Sequence, residues 1–264
     1  MTIPFWQVDA FADRPFTGNP AAVMLLDAWL DDAVLQAIAA ENNLAETAFL
    51  VPGDDDADFA LRWFTPTVEV AMCGHATLAS GHVIMTRDGS DRVRFSTRRA
   101  GMLEVRREEA RYALDLPAWV TEPRALLAIV AGVGGAPVET RWRDGGYALL
   151  IYASEAEVRA LTPDFRALAA DDTLLVATAP GEATDVVSRV FVPGGGIDED
   201  PVTGSAHALL TPYWANRLGR AQFSAYQASP RGGHIDCTLA DDRAILRGDC
   251  VTVIEGRFVI GARS

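Results

Sequence analysis

Two stretches of the chain are apolar or small at nearly every helical position: GHATLASGHVIM from Gly74 and GSAHALLTPYWANRLG from Gly204. A helix without a polar face has to be buried, so each stretch predicts a central helix with other elements packed around it. Pro212, inside the second, is expected to kink it or end its first segment. Around the two helices lie short strand-like runs broken by turn residues: Phe5–Phe11, Thr47–Val51, Asp58–Phe64, Val93–Thr97, Tyr112–Leu116, Val186–Val192, Gln222–Gln227, His234–Leu239, Ala244–Leu246 and Val251–Ile254. Their spacing predicts antiparallel meanders. AAVMLLDAWLDDAVLQAIA and YALLIYASEAEVRALT each read as a strand followed by a helix, and in the first Leu30, Val34 and Ile38 recur on one helical face.

The pattern occurs twice. RWFTP at 62–66 and RVFVP at 189–193 share R-x-F-x-P, and each is followed by an acidic loop (Glu69; Asp198 to Asp200) and by the glycine that opens an apolar helix. The chain therefore reads as a duplicated unit with a junction near Pro117 to Thr121, residues 1–118 forming an N-terminal half and 119–264 a C-terminal half whose last strand can return to the first. The expected class is α+β: two pseudo-symmetric halves, each a curved, mostly antiparallel sheet wrapped around a central buried helix. Pseudo-twofold symmetry is expected to bring both helix starts to a seam, where the unpaired N–H groups of Gly74–Ala76 and Gly204–Ala206 would receive an anion such as a carboxylate.

Composition narrows the partners. An apolar share of 49% excludes general disorder, and 23 basic against 36 acidic side chains, net −13, leave no basic patch for nucleic acid or an anionic membrane. The opening MTIPFWQVDAF lacks the basic start and apolar core of a signal peptide. The longest apolar run, around Ala125 to Ala136, falls short of the roughly 20 residues that span a bilayer. Cys73, Cys237 and Cys250 have no C-x-x-C spacing, and Cys73 and His75 lack further ligands at metal spacing, so no disulfide framework and no metal are expected. A cytoplasmic protein fits these features. AGVGGAP ends in proline where a dinucleotide fingerprint needs a small residue, and TGSAH lacks the second glycine of a nucleophile elbow.

The candidate chemistry sits at the helix starts. His75 lies in the first turn of its helix, where the dipole disfavours imidazolium and is expected to keep the ring neutral; a buried histidine bonded to a carbonyl is the other reading. His82 and His207 lie deeper and read as core, and His234 falls in a hairpin. Glu46 has Leu44, Ala45, Ala48 and Phe49 around it, surroundings expected to raise a carboxyl pKa as an acid/base needs; an exposed strand-start glutamate is the alternative. Asp200, beside a helix start, is expected to stay ionised. Ser205 reads either as a donor to a bound carboxylate or as a first-turn serine, and Arg231, before Gly232 and Gly233, as a substrate contact or a solvated turn residue.

VDAF (8–11), GNPAAV (18–23), AETAF (45–49), RWFTPTVEVAMCGHATLAS (62–80), EDPVTGSAH (199–207) and QASPRGG (227–233) together resemble the PhzF phenazine-biosynthesis family, within the diaminopimelate epimerase superfold, from Val8 almost to the C-terminus. The resemblance implies two similar halves, a cytoplasmic homodimer, no cofactor, and an isomerase of the kind that moves a proton on a dihydro-hydroxyanthranilate ring. It implies that Glu46 removes a proton from carbon and returns it elsewhere, and that His75 and Asp200 position the substrate or relay protons. Ser205 and nearby backbone N–H groups would hold the carboxylate, with Gly74 and Gly204 as the helix starts. The related epimerases use two facing cysteines; Cys73 sits beside the first such position and joins the substrate-binding set, while the second half offers Asp200 and Ser205. The expected function is proton transfer at carbon in a small anionic carboxylic acid. A non-catalytic metabolite-binding protein, a dehydratase or lyase, and a hydrolase using Ser205 or Cys73 are the competing readings.

Overall fold

The computed structural model describes residues 1–261, so the last three residues of the expected C-terminal half lie outside the described residues. The chain clusters into two compact units, the first holding residues 1–115 together with the return from Arg247, the second Leu116–Leu246.

The first unit begins with β1 (Thr2–Ala10), β2 (Asn19–Leu25), α1 (Asp32–Asn42), β3 (Glu46–Pro52), β4 (Phe59–Phe64) and β5 (Glu69–Val70). It continues through α2 (Gly74–Asp88), β6 (Arg92–Thr97), β7 (Met102–Glu108) and β8 (Arg111–Pro117), within which the chain passes to the second unit. That unit carries β9 (Glu122–Pro123), α3 (Leu127–Val133), β10 (Glu139–Arg143), β11 (Tyr147–Ile151), α4 (Glu155–Arg159), α5 (Phe165–Leu168), β12 (Leu174–Pro180) and β13 (Val186–Val192). It then adds β14 (Ile197–Asp200), α6 (Gly204–Leu218), β15 (Gln222–Gln227), β16 (Gly233–Ala240) and β17 (Arg243–Gly248), within which the chain returns to the first unit, and β18 (Cys250–Val259) closes that unit against β1.

The two units repeat one topology pair by pair. In the first, β2 runs antiparallel to β1 and parallel to β3, β4 is antiparallel to β3 and β5 but parallel to β6, and β7 is antiparallel to β6. In the second, β11 runs antiparallel to β10 and parallel to β12, β13 is antiparallel to β12 and β14 but parallel to β15, and β16 is antiparallel to β15. Antiparallel pairs predominate, as expected, but simple meanders are not what forms. Each parallel pair needs a crossover, and helices supply it: α1 between β2 and β3, and α2 between β4 and β6.

Two local expectations are modified, each for an identifiable reason. Leu30 precedes α1, which starts at Asp32, but packs against the same core as Ile38; Val34 is 36% exposed, and Leu35, Ile38 and Ala39 are buried against Met24, Phe49 and Phe64. Pro212 does not end α6, which runs unbroken from Gly204 to Leu218. Proline leaves the carbonyl four residues back without its helical donor, and here the Trp119 N–H donates to the Ala208 carbonyl at 3.0 Å in its place.

The central helices are buried as their composition demands. Every residue of α2 from Gly74 to Gly81 is buried, and β1, β2, β3, β6, β7 and β18 all pack on the helix. Gly81 permits the approach of β7: a Cβ there would stand 2.5 Å from Cγ1 of Val105 and 2.7 Å from its Cβ, atoms fixed close to the backbone. Gly81→Ala gains about 1 kcal/mol of helix propensity, whereas overpacking a core costs about 1–3 kcal/mol. Denaturant unfolding should therefore show a net loss of stability in this variant; a gain would mean that β7 yields freely.

His207 is a core residue, as its depth in the helix suggests, whereas His82 is only half-buried. Nδ1 and Nε2 of His82 lie 2.9 Å from the Tyr112 hydroxyl and 2.8 Å from that of Thr252, and the buried Nδ1–H of His207 donates to the Thr203 carbonyl at 2.8 Å. Burial lowers both pKa values to about 4. The folded rings then stay neutral down to about pH 4 while the unfolded chain takes up protons near 6.5. Stability should fall as pH drops through that window, and His207→Asn, which cannot titrate, should flatten the fall in denaturant melts. An unchanged slope would mean that His207 protonates in the fold.

Candidate active site

The R-x-F-x-P motif does in three dimensions what its repetition suggests. In the first unit Nε and Nη2 of Arg62 donate to the two carboxylate oxygens of Glu69, both at 2.8 Å, and Nη1 lies 2.9 Å from Asp32 at the start of α1. In the second unit Nε and Nη2 of Arg189 donate to Glu199 at 2.8 and 2.9 Å, and Nη1 donates to the Leu161 carbonyl beyond α4 at 2.8 Å. Each guanidinium also stacks on the phenylalanine of its own motif, Phe64 or Phe191. The fork closes a strand onto the short strand that delivers the chain to the next helix. Of the three acids at 198–200, Glu199 is therefore committed to scaffolding.

In the first unit Glu46, Cys73, Gly74 and His75 come together. Glu46 opens β3, paired with Ala21 across the parallel β2, and the turn before it is set by Asn43, which ends α1 in the left-handed region at φ 49°. Cys73 is the N-cap of α2 in extended conformation and makes no side-chain cap. His75 is 3% exposed, its Nε2 lies 3.1 Å from Oε2 of Glu46, and its Nδ1 lies 3.5 Å from Sγ of Cys73 and 3.1 Å from Nδ2 of Asn19. Asn19 sits in the quoted GNPAAV motif, yet its role depends on strand register and no local pattern announces it. It opens β2, fully buried. With Nδ2 toward the ring it suits the neutral tautomer protonated on Nε2; with the amide turned over, Oδ1 accepts from Nδ1–H of the imidazolium.

The charge state of His75 differs from the expectation based on the helix dipole. Burial opposes charging the ring, but the Cys73 and Glu46 groups in contact with it raise its pKa well above 6.5. Burial in turn pushes the Cys73 thiol up to about 11. A helix N-terminus presents about half a positive charge; the Cys73 and Glu46 groups beside the ring outweigh it.

In the second unit the equivalent helix start is built from hydrogen bonds. Thr203, the N-cap of α6, donates its hydroxyl to Oδ2 of Asp200, while its N–H donates to Oε1 of the buried Gln227 at 2.9 Å. Nε2 of Gln227 donates to the Asp200 carbonyl at 2.7 Å, and Ser229 ties the same hairpin to the Pro201 carbonyl at 2.7 Å. Gly232, at φ 66°, lies where any Cβ would strike the Tyr226 hydroxyl. Gln227 and Ser229 thus explain QASPRGG as a clamp on the Asp200 segment, a role the linear sequence does not reveal. Arg231 sits half-buried in this hairpin turn. Ser205, in the first turn of α6 next to Gly204, shares a hydrogen bond with Tyr147, whose phenol burial raises in pKa. Tyr147 meets Trp119 edge-on at 5.1 Å.

Known proteins match both the sequence and the fold. A Pseudomonas aeruginosa protein named as an uncharacterized isomerase is 46% identical, the match covering 98% of this chain and 99% of the relative. The crystal structure of a PhzF-family phenazine biosynthesis protein from Enterococcus faecalis superposes with a TM-score of 0.90 at 42% identity, covering 98% of this chain and all of that one. At 12% identity the likeness extends to a hydroxyproline epimerase from Agrobacterium vitis, TM-score 0.63 over 97% of this chain and 92% of that one, which shows the epimerase-like fold alone. Among the described residues no helix is long and apolar enough to cross a membrane. The family model for phenazine biosynthesis-like proteins, PhzC-PhzF, matches residues 8–256, and the chain belongs to that family.

Proposed function

We propose that the protein is a cofactor-independent isomerase or epimerase, working in the cytoplasm as a homodimer, that moves a proton between carbon positions of a small anionic carboxylic acid. The Glu46–His75 contact at the buried start of α2 carries this reading, and the isomerase name of a relative at 46% identity agrees with it.

Glu46 takes the proton from a carbon α or vinylogous to the carboxylate and returns it elsewhere. A carboxylate suits both halves of the task, since its conjugate acid gives the proton back without a cofactor. Charged His75 holds Glu46 in place and offers a positive neighbour to the negative charge that develops on the substrate. Asp200 positions the substrate, Ser205 and the backbone N–H groups at Gly74 and Gly204 receive the carboxylate, and Arg231 supplies a cation in an acidic protein. Cys73, protonated at neutral pH with its pKa near 11, lines the site as a polarizable wall.

An acid turned over in heavy water should gain deuterium at one carbon by NMR. A turned-over acid that neither gains deuterium nor loses a label placed on its own carbon would overturn proton transfer. Glu46→Gln keeps the shape and removes the titrating oxygen, so kcat should fall by about 10²–10⁴-fold with KM little changed. Full turnover in that variant would take Glu46 out of the reaction.

A further inference from the structure

Pro212 shapes more than the helix it sits in. Because the Trp119 N–H supplies the donor that the Ala208 carbonyl lacks, the segment after Trp119 is held beside the second half of α6. Arg141 on β10 fixes the same segment from its own side, Nε donating to the Thr121 hydroxyl at 2.8 Å and Nη2 to the Thr121 carbonyl at 2.6 Å. Between these elements of the second unit lies a cleft of about 450 Å³, within the roughly 300–1,000 Å³ of small-molecule sites. Tyr213, which lines it, stands about 13 Å along the axis of α6 from Gly204, so the cleft is separate from the helix start that carries Ser205.

We propose that this cleft is a second ligand site, for a small carboxylate with a flat apolar body. The charges that line it do not cancel. Glu139 engages Nη1 of Arg141 with one oxygen, at 2.7 Å, and the Tyr213 hydroxyl with the other, at 3.0 Å. Arg141 is thus matched and fully engaged, and Arg217 is the cation left over. Its Nη1 donates to the Tyr213 hydroxyl at 2.8 Å and stands 3.7 Å from Glu139, but its Nε and Nη2 have no acceptor among the described residues. Those two nitrogens form the edge of a guanidinium that takes a carboxylate through two parallel bonds. The Tyr213 hydroxyl anchors the group, which also stacks over the Tyr213 and Trp214 rings at 6.0 and 5.8 Å from their centroids, so little freedom is lost on binding. The side-chain amide of Asn216, at the exposed mouth of the cleft, is a further donor without a partner among the described residues. The remaining wall is apolar. Val120 is 74% exposed although its chain is pinned on both sides, at Trp119 and Thr121, and Pro212 is half-buried. A flat apolar body laid on them removes that surface from water, which a bare inorganic anion cannot do. A neutral ring, in turn, leaves the Arg217 edge unpaired.

The site does not depend on the role proposed for Glu46, and its occupation is read without turnover. Benzoate is a suitable probe, with benzamide keeping the ring and dropping the charge, and inorganic phosphate keeping the charge and dropping the ring. Titrating the full-length protein with benzoate should shift, to saturation, the arginine Nε–H resonance in ¹H–¹⁵N NMR that Arg217→Gln deletes. By calorimetry benzamide and phosphate should each bind about tenfold or more weakly than benzoate, and Arg217→Gln should weaken benzoate about 10–100-fold. Val120→Asp sets a like charge on the exposed wall and should abolish benzoate binding, with the melting temperature of both variants unchanged. An Arg217 resonance that stays in place, or benzoate affinity unaltered in both variants, would overturn the site. Phosphate or benzamide binding as tightly as benzoate would overturn the class of ligand.

Discussion

The two-pronged pair between an arginine and a glutamate, made once in each unit, is the contact on which the helix starts depend. Arg62 is almost wholly buried, with its side chain 2% exposed, and Glu69 and Glu199 are at least three-quarters shielded. Removing one partner of such a pair leaves the other charge stranded, a loss of about 3–5 kcal/mol. Its structural effect reaches further than its energy. Because both oxygens of the acid are engaged, the short strand β5 or β14 has a fixed direction as it leaves its neighbour, and only a few residues separate it from Gly74 or Gly204. Neither Cys73 nor Thr203 supplies a side-chain cap to its own helix, so the helix starts are aimed by the strands that precede them.

The duplication was legible because it is written in local patterns. Arginine, phenylalanine and proline at fixed offsets survive in both halves, and the apolar helices betray their burial by lacking a polar face. The strands Val186–Val192 and Gln222–Gln227 match the pattern to the residue. Strand direction was not legible, since alternation records which face is buried and carries no information about parallel or antiparallel pairing. The fate of Pro212 was hidden for a related reason: whether a proline breaks a helix depends on who satisfies the orphaned carbonyl, and that donor, Trp119, is remote in sequence. Gln227 and Asn19 belong to the same class. Amides at strand ends look like turn residues until the register shows what they face.

Within the first unit, the chemistry follows from the burial of a pair and not from any single residue. A lone imidazole at a helix start is pushed toward neutrality by the dipole and by desolvation, as the fate of the equally buried His207, near 4, illustrates. His75 escapes that outcome because the parallel register of β2 and β3 sets a carboxylate against it. The pair is net neutral, so its burial is tolerable where either charge alone would be expelled. Both partners are held from behind, Glu46 by its strand and His75 by Asn19.

Similar scaffolds have diverged in what they present. Counted from the opening glycines of α2 and α6, Cys73 corresponds to Thr203 and His75 to Ser205. The first unit places groups that can hold or release a proton at those positions. The second places hydroxyls, which exchange no charge near neutral pH and only donate or accept hydrogen bonds, and it occupies them with Asp200 and Tyr147. A symmetric pair of acid/base groups would suit removal of a proton from one face of a carbon and delivery to the other. An asymmetric pair suits one group that both takes the proton and returns it, with its counterpart holding the molecule still. The hydroxyls that stand in the second unit where the first has titratable groups are in keeping with the proposal above that Glu46 and its neighbours handle the proton, and orientation is the work to which hydroxyls are suited.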